Sequence, residues 1–300
     1  MNFKEINGYS MDPETLCIHI CGSDSEKFLQ GQLSNDLSLL DKTNYQISSY
    51  STSQGKVISL LKIFKIENGF ILVSNTNIST YFIDTISKYI LMSDVKISIL
   101  EKYDVLGICG DYYKKFKTKF NITDGSFYNS NFDFYYLDNS SDYISSAMII
   151  SKKDSEVKLL ENVLTSEPDD CKNFNINYLS DMCKGIARLN MKTKESFIPQ
   201  VLKMEDLNGI SYKKGCYTGQ EIVARTHYLG KIKKKVFPVI SRTKNIKSGS
   251  KVHDINGEMI GDVISDTENV NGVFVCLAVL KLDSTNNEMF VERNQIKTLY

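Results

Sequence analysis

Apolar residues crowd the chain from Lys56 to Ile66, Glu67-Asn68-Gly69 interrupts them, and Phe70 to Ser74 resumes the run. That pattern predicts a β-hairpin. Between about 78 and 91 the spacing lengthens, with Ile78, Phe82, Ile86 and Tyr89 or Ile90 on one face, so a helix should follow. Strands are expected at about 94–100 and 103–109, then a basic helix from Asp111 to Phe120. Ser23 and Glu26 have capping-box spacing ahead of Phe28 and Leu29, predicting a short helix that runs toward Gly31. Asn129 to Ser146, rich in Asn, Ser, Asp and Tyr, reads as loop with short strand pieces. Further helices are predicted at 155–164, ahead of Pro168, and at 176–185.

Thr218 and Glu221 repeat the capping-box spacing and place a helix start near Gly219, with Leu229-Gly230 as its end. Beyond it, short apolar runs at 235–240, 251–253, 259–264 and 273–282, separated by Gly, Asn and Asp, suggest a small C-terminal β-barrel. Strands joined by hairpins as well as helices indicate the α+β class rather than a doubly wound sheet. The expected organisation is two interlocked mixed units over 1–230, with 45–110 forming much of one, and a barrel over 231–300. No internal repeat is visible.

The 36 basic and 36 acidic residues balance, so nothing drives the whole chain toward nucleic acid or membrane. Charge is uneven only locally: between 203 and 235 eight basic residues (Lys203, Lys213, Lys214, Arg225, Lys231, Lys233, Lys234, Lys235) face three acidic ones (Glu205, Asp206, Glu221). Such a patch suits a polyanion, or is simply a solvated face. Seven scattered cysteines without a C-x-x-C pair do not make a disulfide framework or a zinc site. With no basic start followed by an apolar stretch, and no apolar run long enough to span a bilayer, a cytoplasmic location is expected.

The densest chemistry lies in Lys214-Gly215-Cys216-Tyr217-Thr218-Gly219-Gln220-Glu221. Cys216 sits just ahead of a helix start and beside Lys213 and Lys214, a setting that favours thiolate. The alternative is an ordinary buried cysteine in a glycine-bearing turn. Gln32, Asn35 and Asp36, at the end of the first helix, could hydrogen-bond a flat heterocycle or form ordinary turn contacts. Cys17, His19 and Cys21 share one face of a strand and read as core packing sooner than a metal site.

Two stretches resemble the YgfZ family of folate-binding, iron–sulfur-linked tRNA-modification proteins, relatives of the glycine-cleavage aminomethyltransferase. One runs through Phe197-Ile198-Pro199-Gln200, Asn208-Gly209-Ile210-Ser211-Tyr212-Lys213 and the Lys214–Glu221 motif into Ile222-Val223-Ala224-Arg225; the other is Phe28-Leu29-Gln30-Gly31-Gln32-Leu33-Ser34-Asn35-Asp36. The resemblance implies an aminomethyltransferase-like folate-binding fold, tetrahydrofolate or another reduced folate in a central channel, and support of iron–sulfur enzymes such as a tRNA methylthiotransferase, with at most weak contact to tRNA itself. It assigns Cys216 as the reactive centre with Lys214 tuning it, and Gln32, Asn35, Asp36, Gly215, Tyr217, Gly219, Gln220, Glu221 and Arg225 to the ligand or its loop. The chain departs from the family pattern in lacking tryptophan, with Thr15 and the neighbourhood of Asn177-Tyr178 at the corresponding places, and in keeping only Gly55-Lys56 of a C-D-x-K-G-K motif. Two other functions compete with this one. Folate-dependent aminomethyl transfer would need the carboxylate of a G-G-x-x-D-D-L pattern, where this chain has Gln54-Gly55-Lys56-Val57-Ile58-Ser59-Leu60; a plain tRNA-binding scaffold gains little from the even charge balance.

Overall fold

The computed structural model describes residues 3–123, 125–129, 134–153, 174–243 and 246–299. The predicted helix at 155–164 lies outside them. In chain order the first part comprises β1 (Gly8–Met11), β2 (Thr15–Cys21), α1 (Ser25–Gln30), β3 (Tyr45–Ser51), β4 (Val57–Ile66), β5 (Gly69–Asn75), α2 (Thr76–Ser87), β6 (Lys96–Ile99), β7 (Tyr103–Cys109), α3 (Asp111–Lys119), β8 (Ser126–Asn129), β9 (Phe134–Asp138) and β10 (Ser146–Lys152). Two five-stranded antiparallel sheets result, ordered β3-β4-β5-β2-β6 and β1-β7-β10-β9-β8.

The sheets pack face to face. Cys17, Phe64, Ile71 and Val73 of the first interleave with Val105, Leu137, Met148 and Ile150 of the second. Alternation along each strand sends the intervening side chains outward, where α1 and α2 cover the first sheet through Phe28, Leu29, Ile78, Phe82 and Ile86. On the other side α3 covers the second sheet with Tyr112 and Phe116. Four layers are therefore stacked, helix, sheet, sheet, helix.

A third core joins these layers to the rest of the chain. It is organised by α4 (Ile176–Lys184), buried from Ile176 to Cys183, which packs on β7 and β10 and reaches the C-terminal strands. After α5 (Gln220–Leu229) come β11 (Lys234–Ser241), β12 (Lys251–Asp254), β13 (Met259–Val263), β14 (Glu268–Val270), β15 (Val273–Lys281), β16 (Met289–Val291) and β17 (Asn294–Thr298). The order β11-β17-β16-β12-β13-β15 closes through the β11–β15 pairing into a six-stranded antiparallel barrel, with β14 added to β15. The chain thus has the α+β architecture and C-terminal barrel that its pattern implied. No helix among the described residues is long and apolar enough to cross a membrane.

Two expectations about helix starts fail. The N-cap of α1 is Asp24, without a side-chain cap bond. Ser23 instead donates its amide and hydroxyl to Asp94 Oδ2, both at 2.9 Å, so the carboxylate of a distant loop displaces the local capping partner. Likewise α5 is capped by Gly219 with no side-chain bond, and Thr218 turns to Gln32. Strand β3 was also absent from the sequence reading, because three of its buried side chains are serines.

Candidate functional site

The two motif segments meet. The chain leaving α1 makes a turn and then enters β3; the stretch 208–219 lies against that turn. Ser211 N donates to Ser34 O (2.9 Å), Ser34 Oγ to Gly209 O (2.6 Å) and Asn35 Nδ2 to Asn208 O (2.8 Å). Thr218 N donates to Gly31 O (3.2 Å), and its hydroxyl to Gln32 Oε1 (3.2 Å). Ser34 Oγ also takes the amide of Ser49 (2.8 Å), and Ser48 Oγ takes that of Asn35 (3.0 Å). Two serines of β3 thus belong to this turn: Ser48 Oγ satisfies the Asn35 amide, and Ser49 Oγ bonds to Ser34 Oγ (3.0 Å).

Lys214 is the pin of this arrangement. Its ammonium is buried and donates to the carbonyls of Leu33 (2.8 Å) and Asn35 (2.7 Å), with Nζ 5.2 Å from the Tyr217 ring centre. Burial lowers its pKa to about 8, against a smaller upward pull from Asp36. The ammonium assigned to tuning Cys216 is thus committed to two carbonyls. Asp36 is held below the usual carboxylate range by hydrogen bonds from Ser38 and Gln30, and caps the short turn Leu37–Leu39. Tyr217 is buried, and its hydroxyl, which has no hydrogen-bond partner among the described residues, is pushed to about 12 by burial.

The start of α5 is fixed by close backbone approach. Gly219 has φ +85°, and a Cβ there would stand 2.5 Å from Thr52 O and 3.0 Å from Gly55 Cα, in the β3–β4 turn. Only glycine combines that conformation with that approach. The surviving Gly55 of the first hairpin therefore meets the Gly219 of the motif. Gln200, from the Phe197–Gln200 stretch, is buried and donates to Val223 O (2.8 Å), anchoring α5 from beneath.

On this scaffold Gly215 and Cys216 are exposed, as are Lys213, Glu221 and Arg225, while Gln32, Asp36 and Gln220 are half-buried. Cys216 is the exposed thiol among the described cysteines; Cys17, Cys109, Cys183 and Cys276 are buried and Cys21 is half-buried. Burial drives the Cys17, Cys183 and Cys276 thiols up to about 12. His19 and Cys21 accompany Cys17 on β2, and no group of three or more metal-ligating side chains occurs among the described residues. The assigned residues thus divide: Asn35, Lys214, Tyr217 and Gly219 build the loop, whereas Cys216, Glu221 and Arg225 present side chains to solvent.

A second polar constellation escaped the sequence reading. Between the sheets lies a cavity of about 40 Å³, bordered by Lys62, Asp181 and Arg188. Lys62 Nζ lies 2.5 Å from Asp181 Oδ1, with side chains 6% and 5% exposed. Arg188 grips Asp12 with both terminal nitrogens (2.7 and 3.1 Å), reaches Asp181 Oδ2 (3.4 Å) and stacks over Tyr178, 4.8 Å from the ring centre. Asn175 Nδ2 (2.6 Å) and Thr15 Oγ1 (2.9 Å) complete the shell of Asp12. Burial pulls Asp12 upward, but Arg188, Asn175 and Thr15 outweigh it and leave it below its ordinary value. Lys62 inside the apolar 57–64 stretch, and an aspartate inside the apolar face of α4, were the signals available.

Set beside solved structures, the chain has the aminomethyltransferase fold. It superposes on the glycine cleavage system aminomethyltransferase T from Bartonella henselae with a TM-score of 0.74, covering 98% of this chain and 86% of that one at 13% identity. Within that class it resembles the YgfZ proteins: it is 27% identical over 227 residues to the tRNA-modifying protein YgfZ of Hamiltonella defensa subsp. Acyrthosiphon pisum (strain 5AT), a match spanning 73% of this chain and 66% of the relative, just under two thirds of its length. No family model matches the chain.

Proposed function

We propose that this chain is a YgfZ-like tRNA-modifying protein that supports iron–sulfur enzymes, notably those that thiomethylate tRNA, and that it works through Cys216. The observation that carries this reading is an exposed cysteine on a loop that many buried contacts hold in place. Lys214, Gly219 and Gln200 fix the backbone on both sides, so the thiol is presented from a rigid mount. Exposure makes the thiol available as a nucleophile or soft ligand. Glu221 and Arg225, exposed on the first turns of α5, are the motif side chains free to touch a partner or an exposed part of a reduced folate. Aminomethyl transfer is not favoured, because the 54–60 stretch of the first hairpin brings no carboxylate to the site.

The test is a host lacking its own YgfZ protein, with methylthio-modified tRNA nucleosides measured by mass spectrometry. The chain should restore them, and Cys216→Ser should not. Restoration by the serine variant at wild-type level contradicts the reading.

A further inference from the structure

We infer that the centre of this chain is closed to a folate heterocycle, and that an ion-pair network of its own side chains takes the place of a ligand between the two sheets. The resemblance implied a reduced folate in a central channel, so the donor set there decides whether it fits.

Space comes first. The cavity holds about 40 Å³. Roughly 150 Å³ accommodates a single benzene ring, so the central space suits water and not a bicyclic pteridine. Donor chemistry agrees. A pteridine's aminopyrimidine edge asks for a carboxylate with free oxygens. Asp181 already receives Lys62 and Asn139 on Oδ1 and Arg188 on Oδ2, while Asp12 receives Arg188 and Asn175 on Oδ1 and Arg188 and Thr15 on Oδ2. Inserting a ring would part buried ion pairs and leave their charges uncompensated, which is strongly unfavourable. The hydroxyls of Ser59 and Ser74, also bordering the cavity, bond to one another at 3.2 Å. The buried Asn177 amide has no partner among the described residues; it lies against Gly107, where a Cβ would stand 3.1 Å from its Oδ1, and it does not border the cavity.

The network also does mechanical work that a ligand would otherwise do. Asp12 follows β1, Lys62 belongs to β4, Asp181 to α4, and Arg188 to the segment after α4. Asn175, bonded to Asp12 through its side chain, donates its backbone amide to Glu268 Oε2 of β14 at 3.4 Å. Both sheets, α4 and the barrel are therefore tied through one set of charges. The inference does not depend on what Cys216 does.

The experiment is calorimetric titration with 5-formyltetrahydrofolate of the full chain, of Val73→Phe, which narrows the cavity from the sheet face that meets the second sheet, and of Asn177→Leu, which removes the unpartnered amide. Hydrogen exchange of the unmodified chain with and without the ligand supplies a reading that needs no variant. The expected result is either no saturable heat at millimolar ligand or binding that shifts by less than about twofold in both variants, with no new protection in β4, β5 or α4. Saturable binding that weakens about tenfold in either variant, or ligand-induced protection of β4, β5 or α4, overturns the inference. Failure of Cys216→Ser to lose tRNA modification would sink the proposed function and leave this result untouched.

Discussion

The Cys216 loop and the centre between the sheets both join segments far apart in sequence, yet they handle polar groups in opposite ways. At the loop, charge and hydrogen bonding are directed at backbone: Lys214 at two carbonyls, Asn35 at Ile47 O and Asn208 O. The result is a fixed mount whose outer side chains stay in water. At the centre, charged side chains are directed at one another until little unpaired capacity remains. A rigid loop with a free thiol can engage a partner, whereas a saturated ion-pair network holds the fold together. On the proposed function, chemistry belongs to the first region and cohesion to the second.

The largest effect should come from breaking the second region. Arg188→Met leaves the buried carboxylate of Asp12 without a cation, while Asp181 keeps Lys62, and should cost about 3–5 kcal/mol in urea unfolding, enough to threaten folding. Gly219→Ala comes next. It adds a Cβ 2.5 Å from Thr52 O at φ +85°, and we expect a loss of about 2 kcal/mol together with displacement of the loop. Lys214→Met should cost about 1–3 kcal/mol, because the carbonyls of Leu33 and Asn35 lose their donor. Hydrogen exchange should then speed up in both 31–36 and 214–219, whereas faster exchange in only one would show that the segments are not coupled.

A smaller effect concerns pH. Burial raises the carboxyl of Glu268 to about 7 from its ordinary 4.5. The folded chain therefore holds a proton that the unfolded chain has released, so this group's stabilising contribution is complete below about 4.5 and is lost as pH rises through about 7. Glu268→Gln should flatten that part of the stability–pH curve and raise stability at pH ~8 by on the order of 1 kcal/mol. Thr218→Ala should be mildest, about 0.5–1 kcal/mol, since it loses one neutral bond to Gln32 and no helix cap.

The same contrast governs what could be read from the sequence. The Lys214–Glu221 motif is contiguous, so its meeting with the 28–36 segment could be anticipated, and hydrophobic periodicity revealed β4, β5, α2, α4 and most of the barrel. The reading mistook Thr218 and Ser23 for local caps because spacing cannot report a partner such as Gln32 or Asp94 arriving from elsewhere in the chain. Strand β3 is hidden because Ser48, Ser49 and Ser51 look like loop; only the fold shows that they are buried and that Ser48 and Ser49 bond to the turn. Short strands such as β14 and β16, three residues each, carry too little pattern to register. The central network was hidden for a stronger reason: Asp12, Lys62, Asp181 and Arg188 lie on separate elements, and only the tertiary fold brings them together.

One measurement bears most directly on the division between a reactive loop and a cohesive centre. In a host lacking its own YgfZ protein, methylthio-modified tRNA nucleosides are quantified per folded molecule for Cys216→Ser and for Lys62→Met/Asp181→Leu, which replaces a buried ion pair by apolar groups of similar size. The account predicts loss of the modification in Cys216→Ser at unchanged melting temperature, and its retention in the central double variant. Retained modification in Cys216→Ser would contradict the role given to the loop, and its loss in a central variant that remains folded would place the chemistry at the centre.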